Sequence, residues 1–177
     1  MKNVKKMVLA ALFIAIGIVL PLAFHTIPQA GRIFLPMHIP VLLAGLVCGL
    51  PFGIICAIVT PLLSSLLTGM PPTPMLPAII CEMIAYSAVA SLLMRFTPVK
   101  DLFTKSYISL IGAMIVGRVV FGVLNALIFS AGDYSMQIWL GAAVVTALPG
   151  IVIQILIIPA IVVALGKMKL VDLRNEA

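Results

Sequence analysis

The stretch FLPMHIPVLLAGLVCGLPFGIICAIVTPLLSSLLTGMPP, Phe34 to Pro72, reads as two apolar runs meeting at a corner. The first run, His38 to Leu50, is too short to cross a bilayer unaided, because a spanning helix needs roughly 20 mostly apolar residues. The second, Phe52 to Leu67, follows at once. Gly49, Leu50 and Pro51 form the junction, and Gly and Pro there favour a tight reversal. Two apolar helices joined this closely predict a membrane bundle.

Outward from this pair the same pattern repeats. Apolar segments run over Met7 to Phe24, Met75 to Met94, Tyr107 to Phe129 and Met136 to Leu165. The first is expected to end near Pro21. The last is long enough to tilt or to kink near Pro149 and Pro159. The expected fold is an all-α membrane protein, a compact bundle of six transmembrane helices. Neither an internal repeat nor a linker is apparent, so residues 1–177 read as one domain.

Composition agrees. Of 177 residues, 63% are hydrophobic and 9% are charged, with a mean hydropathy of +1.30. A soluble domain carries about 25% charged residues, and disorder needs low hydrophobicity. Both classes are excluded. Cys48, Cys56 and Cys81 lie in apolar runs without a C-x-x-C pair and read as small buried hydrophobes. Lys2, Lys5 and Lys6 precede an apolar run with no small-residue cleavage site after it, so that run reads as a retained helix.

The net charge of +6 could suggest nucleic acid in a soluble protein. Here it sets orientation. With the N-terminus inside, Lys2, Lys5, Lys6, Arg95, Lys100, Lys105, Lys167, Lys169 and Arg174 all lie on the inner side, nine of the 11 Lys and Arg. Arg32 is outside and Arg118 lies within a helix. The reading is N-in and C-in, with a long outer loop between helices one and two. That loop, His25 to Met37, contains Gly31 and Arg32 and is the candidate lid. The other outer connections are GMPPTP, Gly69 to Pro74, and SAGDYSM, Ser130 to Met136. The Pro-rich one is stiff and suits a fixed rim.

Polar residues inside a bilayer are expensive and tend to face a protein interior or a cavity. Glu82 lies about 10 Å down from the outer start of its helix. Arg118 lies about 16 Å from the outer end of the next one. Long side chains at these depths can meet. Asn125 follows Arg118 on the same face. His38, Thr60, Ser64, Ser65, Thr68, Tyr86, Thr146 and Gln154 share this half, and the inner halves carry far fewer polar groups. The expectation is an outward pocket sealed inward, not a continuous pore. Arg118 and Glu82 read equally as a structural ion pair or as a ligand contact. The hydroxyls of the third helix can simply bond their own carbonyls. His38 can be an interfacial histidine, and Trp139 and Tyr134 interface anchors.

On the first helix, Ala11 and Ala15 form a small-xxx-small pair that Ala10 and Gly17 extend, a surface another helix can approach closely. No phosphate-binding loop, zinc-protease, nucleophile-elbow or paired metal-ligand motif occurs, so no enzyme activity, cofactor or metal is expected. An internal energy source is therefore not expected, which leaves an ion gradient or ATP hydrolysis borrowed from partner subunits open to the chain.

The basic N-terminus leading into A-x-x-x-A, six short helices in so small a chain, the long first outer connection and above all the segment Phe34 to Pro72 resemble a known family. It is that of the substrate-binding (S) components of energy-coupling factor (ECF) vitamin transporters. The resemblance covers nearly the whole chain. It implies a multi-pass protein of the bacterial plasma membrane that binds a small water-soluble vitamin or precursor in an outward pocket. It implies a transmembrane coupling subunit (EcfT-like) docking on Ala11 and Ala15, two cytoplasmic ATPases, ATP-driven toppling, and closure of the first outer loop with Arg32. The expected substrate-binding residues are Arg118, Asn125, Glu82, His38, Gln154, Tyr86, Ser64 and Arg32. Few aromatics are available for stacking. Arg118 suits a carboxylate, and Asn125, His38 and Gln154 suit an amide or hydroxyls. Pantothenate fits best and α-ribazole second. An ion-coupled solo transporter, or a membrane enzyme or scaffold, are the competing readings.

Overall fold

The computed structural model describes residues 2–24, 29–129 and 135–168. Among them helix is the only regular secondary structure: α1 Lys2–Ala23, α2 Ala30–Phe34, α3 His38–Cys48, α4 Leu50–Thr68, a short 3-10 turn Thr73–Met75, α5 Leu76–Phe96, α6 Leu102–Leu124, α7 Met136–Leu140 and α8 Leu148–Lys167. Six helical stretches are long and apolar enough to cross a membrane. His25, within the first outer loop, and Tyr134 lie outside the described residues, as does most of Ser130 to Met136.

The corner between α3 and α4 forms at Gly49, whose φ of 85° is in the region that favours glycine. Immediately beyond it, Pro51 occupies the first turn of α4, where a missing N–H leaves no helical bond unmade. α3 is buried almost all round, with Val41, Leu42 and Ala44 at 0% exposure, so it is the central post of the bundle. Around it stand α1, α4, α5 and α8, and α5 packs most extensively on α6.

Close packing at the centre depends on small residues. A Cβ on Gly45 of α3 would come within 2.7 Å of the Ser87 carbonyl oxygen on α5, and one on Gly53 of α4 would overlap the Ser87 hydroxyl. Three helices thus meet at Gly45, Gly53 and Ser87. Gly17 of α1 likewise lies against Thr60 and Pro40.

Several boundaries differ from the sequence reading. α1 continues through Pro21 in its last turn. The first outer connection holds a short helix, α2, with left-handed residues at both ends, Gln29 and Leu35. The long last segment is broken rather than kinked. α7 passes into a π-helical turn, Gly141–Thr146, and a new helix starts at Leu148 with Pro149 in its first turn. Pro159 sits inside α8 without ending it.

The small residues of α1 are also divided between two faces. Ala10 and Gly17 are buried against the bundle, and Cys56 Sγ donates to the Ala10 carbonyl at 3.4 Å. Ala11 and Ala15 are exposed beside Val8, Leu12 and Val19. Ala10 and Gly17 therefore do not extend the Ala11–Ala15 surface.

The inner half is less bare than expected. Ser87, Ser91, Lys105, Ser106 and Ser109 are all buried there. The hydroxyls of Ser106 and Ser109 bond carbonyls of their own helix, Leu102 and Lys105 respectively, so they open no polar path. Asp101 caps α6 by accepting from Thr104 N–H at 2.8 Å and from the Thr104 hydroxyl at 2.7 Å.

Candidate functional site

The site is built where α5 and α6 pass each other. Both are continuous helices, so Glu82 and Arg118 are carried to fixed depths by the regular rise of the backbone. Gly117 leaves room for an aromatic ring on α6, because a Cβ there would meet Tyr86 Cδ1 and Cε1 at 2.5 Å. Tyr86 fills that space at 2% exposure. One helical turn from Glu82, its hydroxyl donates to Glu82 Oε1 at 3.1 Å. Arg118 Nη1 reaches the same oxygen at 3.1 Å. From the start of α3, His38 Nε2 stands 3.7 Å from Glu82 Oε2, and its ring meets Tyr86 edge-on, 5.3 Å between centroids.

One carboxylate thus gathers a guanidinium, a phenol and an imidazole in an almost dry interior. The Glu82 and Arg118 side chains are 3% and 14% exposed. In such surroundings an ion pair persists only if its remaining lone pairs and protons are satisfied. Here they are not all satisfied. Arg118 Nη2, His38 Nδ1 and Nε2, and Gln154 Nε2 are buried with no hydrogen-bond partner. Most buried polar groups in proteins are bonded, and each exception calls for an explanation. Thr60 Oγ1 and Ser87 Oγ are unpartnered as well, but only the Arg118 and His38 nitrogens belong to the Glu82 cluster, where open polar groups beside a buried charge are what a ligand-binding site requires.

The other predicted residues are placed as follows. Gln154 of α8 is 1% exposed. Asn125 is buried where α6 passes into a π-helical turn, and its Nδ2 donates to the Phe121 carbonyl at 2.8 Å. Ser64 donates to the Met70 carbonyl at 2.7 Å and so ties the end of α4 to the Pro-rich rim. Ser65 does the same to the Pro71 carbonyl at 2.8 Å. Arg32 is exposed on α2, with Nη2 3.4 Å from Met75 Sδ on the rim. At its other side α2 lies on α8. A Cβ on Gly150 would fall 2.7 Å from the Phe34 carbonyl oxygen. Ala11 and Ala15 stand apart on α1.

Two contributors differ from the sequence reading, which has Trp139 as an interface anchor and gives Gly117 no role. Trp139 folds back on α6, where its indole N–H donates to the Arg118 carbonyl at 3.0 Å and its ring lies against Gly122. Gly117 contributes by admitting the Tyr86 ring, a need set by packing across two helices that the sequence does not display. An open groove of about 280 Å³ runs between α6, α7 and α8, and Arg118 borders it. Its remaining wall is apolar, with Ile111, Met114, Ile115, Ile151, Ile155 and Trp139 among the lining residues. Below Tyr86 the interior is filled by Leu46, Ala90, Leu110 and Ala113, each at 2% exposure or less, which closes the floor. Among the described residues no group of three or more His, Cys, Asp or Glu is placed to hold a metal ion.

A family model described as "ECF transporter, substrate-specific component" matches residues 5–162. No curated protein matches the chain, and no solved structure does.

Proposed function

The chain belongs to the substrate-specific components of ECF transporters, and from that premise we propose that it captures a small water-soluble vitamin or precursor from outside the cell. It is a multi-pass membrane transport subunit rather than an enzyme. Components of this family work with a transmembrane coupling subunit and ATPases, which supply the energy this sequence has no motif to generate.

In this reading the ligand engages Arg118, His38 and Gln154, held in place by Glu82 and Tyr86. The observation that carries it is the buried Glu82–Arg118 pair with an unpartnered Nη2 beside it. A structural ion pair alone would leave that donor's desolvation uncompensated. α2, seated between Gly150 and Met75, is the part that must lift for entry. Ala11 and Ala15 offer a smooth, exposed face on which the coupling subunit docks, and ATP-driven toppling then presents the ligand inside.

Pantothenate is the first ligand to test, since its carboxylate suits Arg118 and its amide and hydroxyls suit His38 and Gln154. α-Ribazole is the second. The experiment is a panel of water-soluble vitamins titrated against the purified protein, read by thermal shift and native mass spectrometry. Sub-micromolar binding of one member supports the assignment. No binding tighter than micromolar across the panel contradicts it.

A further inference from the structure

The Glu82–Arg118 pair is neutral as it stands, so an acid brought against Arg118 adds one negative charge to an almost dry interior. We propose that the ligand binds as an acid together with one proton from solvent, held on His38, so that two carboxylates are matched by two cations. This rests on the capture reading above and states the form in which that site takes its ligand.

Three observations carry it. The Glu82 and Arg118 side chains are buried, and in such surroundings an unmatched charge is neutralised by a proton rather than kept. His38 is buried with neither Nδ1 nor Nε2 hydrogen-bonded. A neutral imidazole has one N–H and one bare nitrogen, so an unused proton acceptor stands inside the cluster. Finally, His38 Nε2 is 3.7 Å from Glu82 Oε2, beyond a hydrogen bond but within reach of one after a small shift of the ring. Protonated, the imidazolium has two donors. Nε2–H closes on Glu82 in a charge-assisted bond, and Nδ1–H is left for a second acceptor.

Few other groups face His38. Glu82 and Tyr86 do so from α5, and Arg118 of α6 shares the Glu82 carboxylate. Tyr86 already donates its hydroxyl proton to Glu82, and a guanidinium does not give up its charge. Arg32 of α2 is turned to Met75 on the rim. α4 has no charged residue. On α1, Lys6 lies by Gly49, at the opposite end of α3 from His38. On α8, Lys167 is the last residue of the helix. His38 is therefore the group placed to take the proton.

The test is a proton count. The protein in phosphatidylcholine nanodiscs is titrated by calorimetry near pH 7 in two buffers of different ionisation heat. The probes are pantothenate and biotin, which are acids, and pantothenol and α-ribazole, which are neutral. A bound acid should take up close to one proton, and its affinity should fall by up to about tenfold for each pH unit raised. A bound neutral probe should take up none. His38→Gln should bind the acid more weakly and without uptake. Glu82→Gln should bind it without uptake as well, because Arg118 then faces a single carboxylate. The count on the parent protein requires neither variant to fold. An acid bound with no uptake, or with uptake unchanged in His38→Gln, overturns the proposal and leaves the capture reading standing. Binding of neutral probes alone does the same. If neither these probes nor any vitamin of the panel binds, both readings fall.

Discussion

Arg118 of α6 and Glu82 of α5 approach to 3.1 Å, and the carboxylate oxygen that receives the guanidinium also accepts the Tyr86 hydroxyl. The pair joins the two most extensively packed helices of the bundle. Its structural and binding roles are separable by mutation.

Arg118→Ala should weaken an anionic ligand by about 2 kcal/mol or more. It should also destabilise the fold by about 3 kcal/mol, because Glu82 is left buried without its counter-ion. Adding Glu82→Gln to Arg118→Met should recover much of the stability and none of the binding. Thermal unfolding and ligand titration on the same samples check both. Recovery of affinity in the double variant would reduce Arg118 to a structural partner of Glu82.

A bulky residue at Ala11 or Ala15 should abolish uptake with ligand affinity unchanged, since both positions are exposed on α1, which contributes no residue to the Arg118 cluster. Ala10→Leu, on the buried face of the same helix, should instead lower stability. Uptake assays paired with binding assays distinguish the two faces. Parallel loss of binding and uptake in Ala11→Trp would show that the faces are not independent.

Gly45→Ala should cost about 1–3 kcal/mol, because the new methyl presses on the Ser87 backbone, which cannot give way as a flexible side chain could. Gly141→Ala meets nothing within 4 Å and should leave the melting temperature nearly unchanged or slightly raised. If both variants unfold alike, the three-helix crossing at Ser87 is not the tight contact described above.

Hydrogen bonds from the Thr104 hydroxyl and backbone N–H hold the Asp101 carboxyl below its ordinary value of 3.8. A depressed carboxylate stabilises the fold above its unfolded value and loses that contribution as pH falls through the folded one. The cap should therefore hold α6 at neutral pH and release below about pH 4. Asp101→Ala should lower the melting temperature at pH 7 and converge with the parent in acid. Asp101→Asn, which still accepts from the backbone, should lie between them. A constant difference between parent and Asp101→Ala down to pH 2 would contradict the cap.

The spans were legible because proline, glycine and charge bracket each apolar run, and the Glu82–Arg118 meeting was legible because helical rise converts residue number into depth. The break before Leu148 was not. In the apolar run from Met136 to Leu165 the lone Thr146 does not mark an end, and Pro149 permits either a kink or a fresh start. Nor could spacing sort Ala10 and Gly17 from Ala11 and Ala15. On a helix apolar all round, the buried side is decided by where α3 and α4 stand, not by the helix itself. Trp139 belongs to the same class. Its return onto the Arg118 carbonyl depends on how α7 is placed against α6, which no periodicity encodes.

The division of labour between a binding subunit and a separate engine is tested most directly by reconstitution. Proteoliposomes holding this chain alone should bind the identified ligand yet accumulate none of it under a proton or sodium gradient. Adding the coupling subunit and ATPases should yield uptake that stops when ATP is withheld. Gradient-driven accumulation by the chain alone would contradict the account.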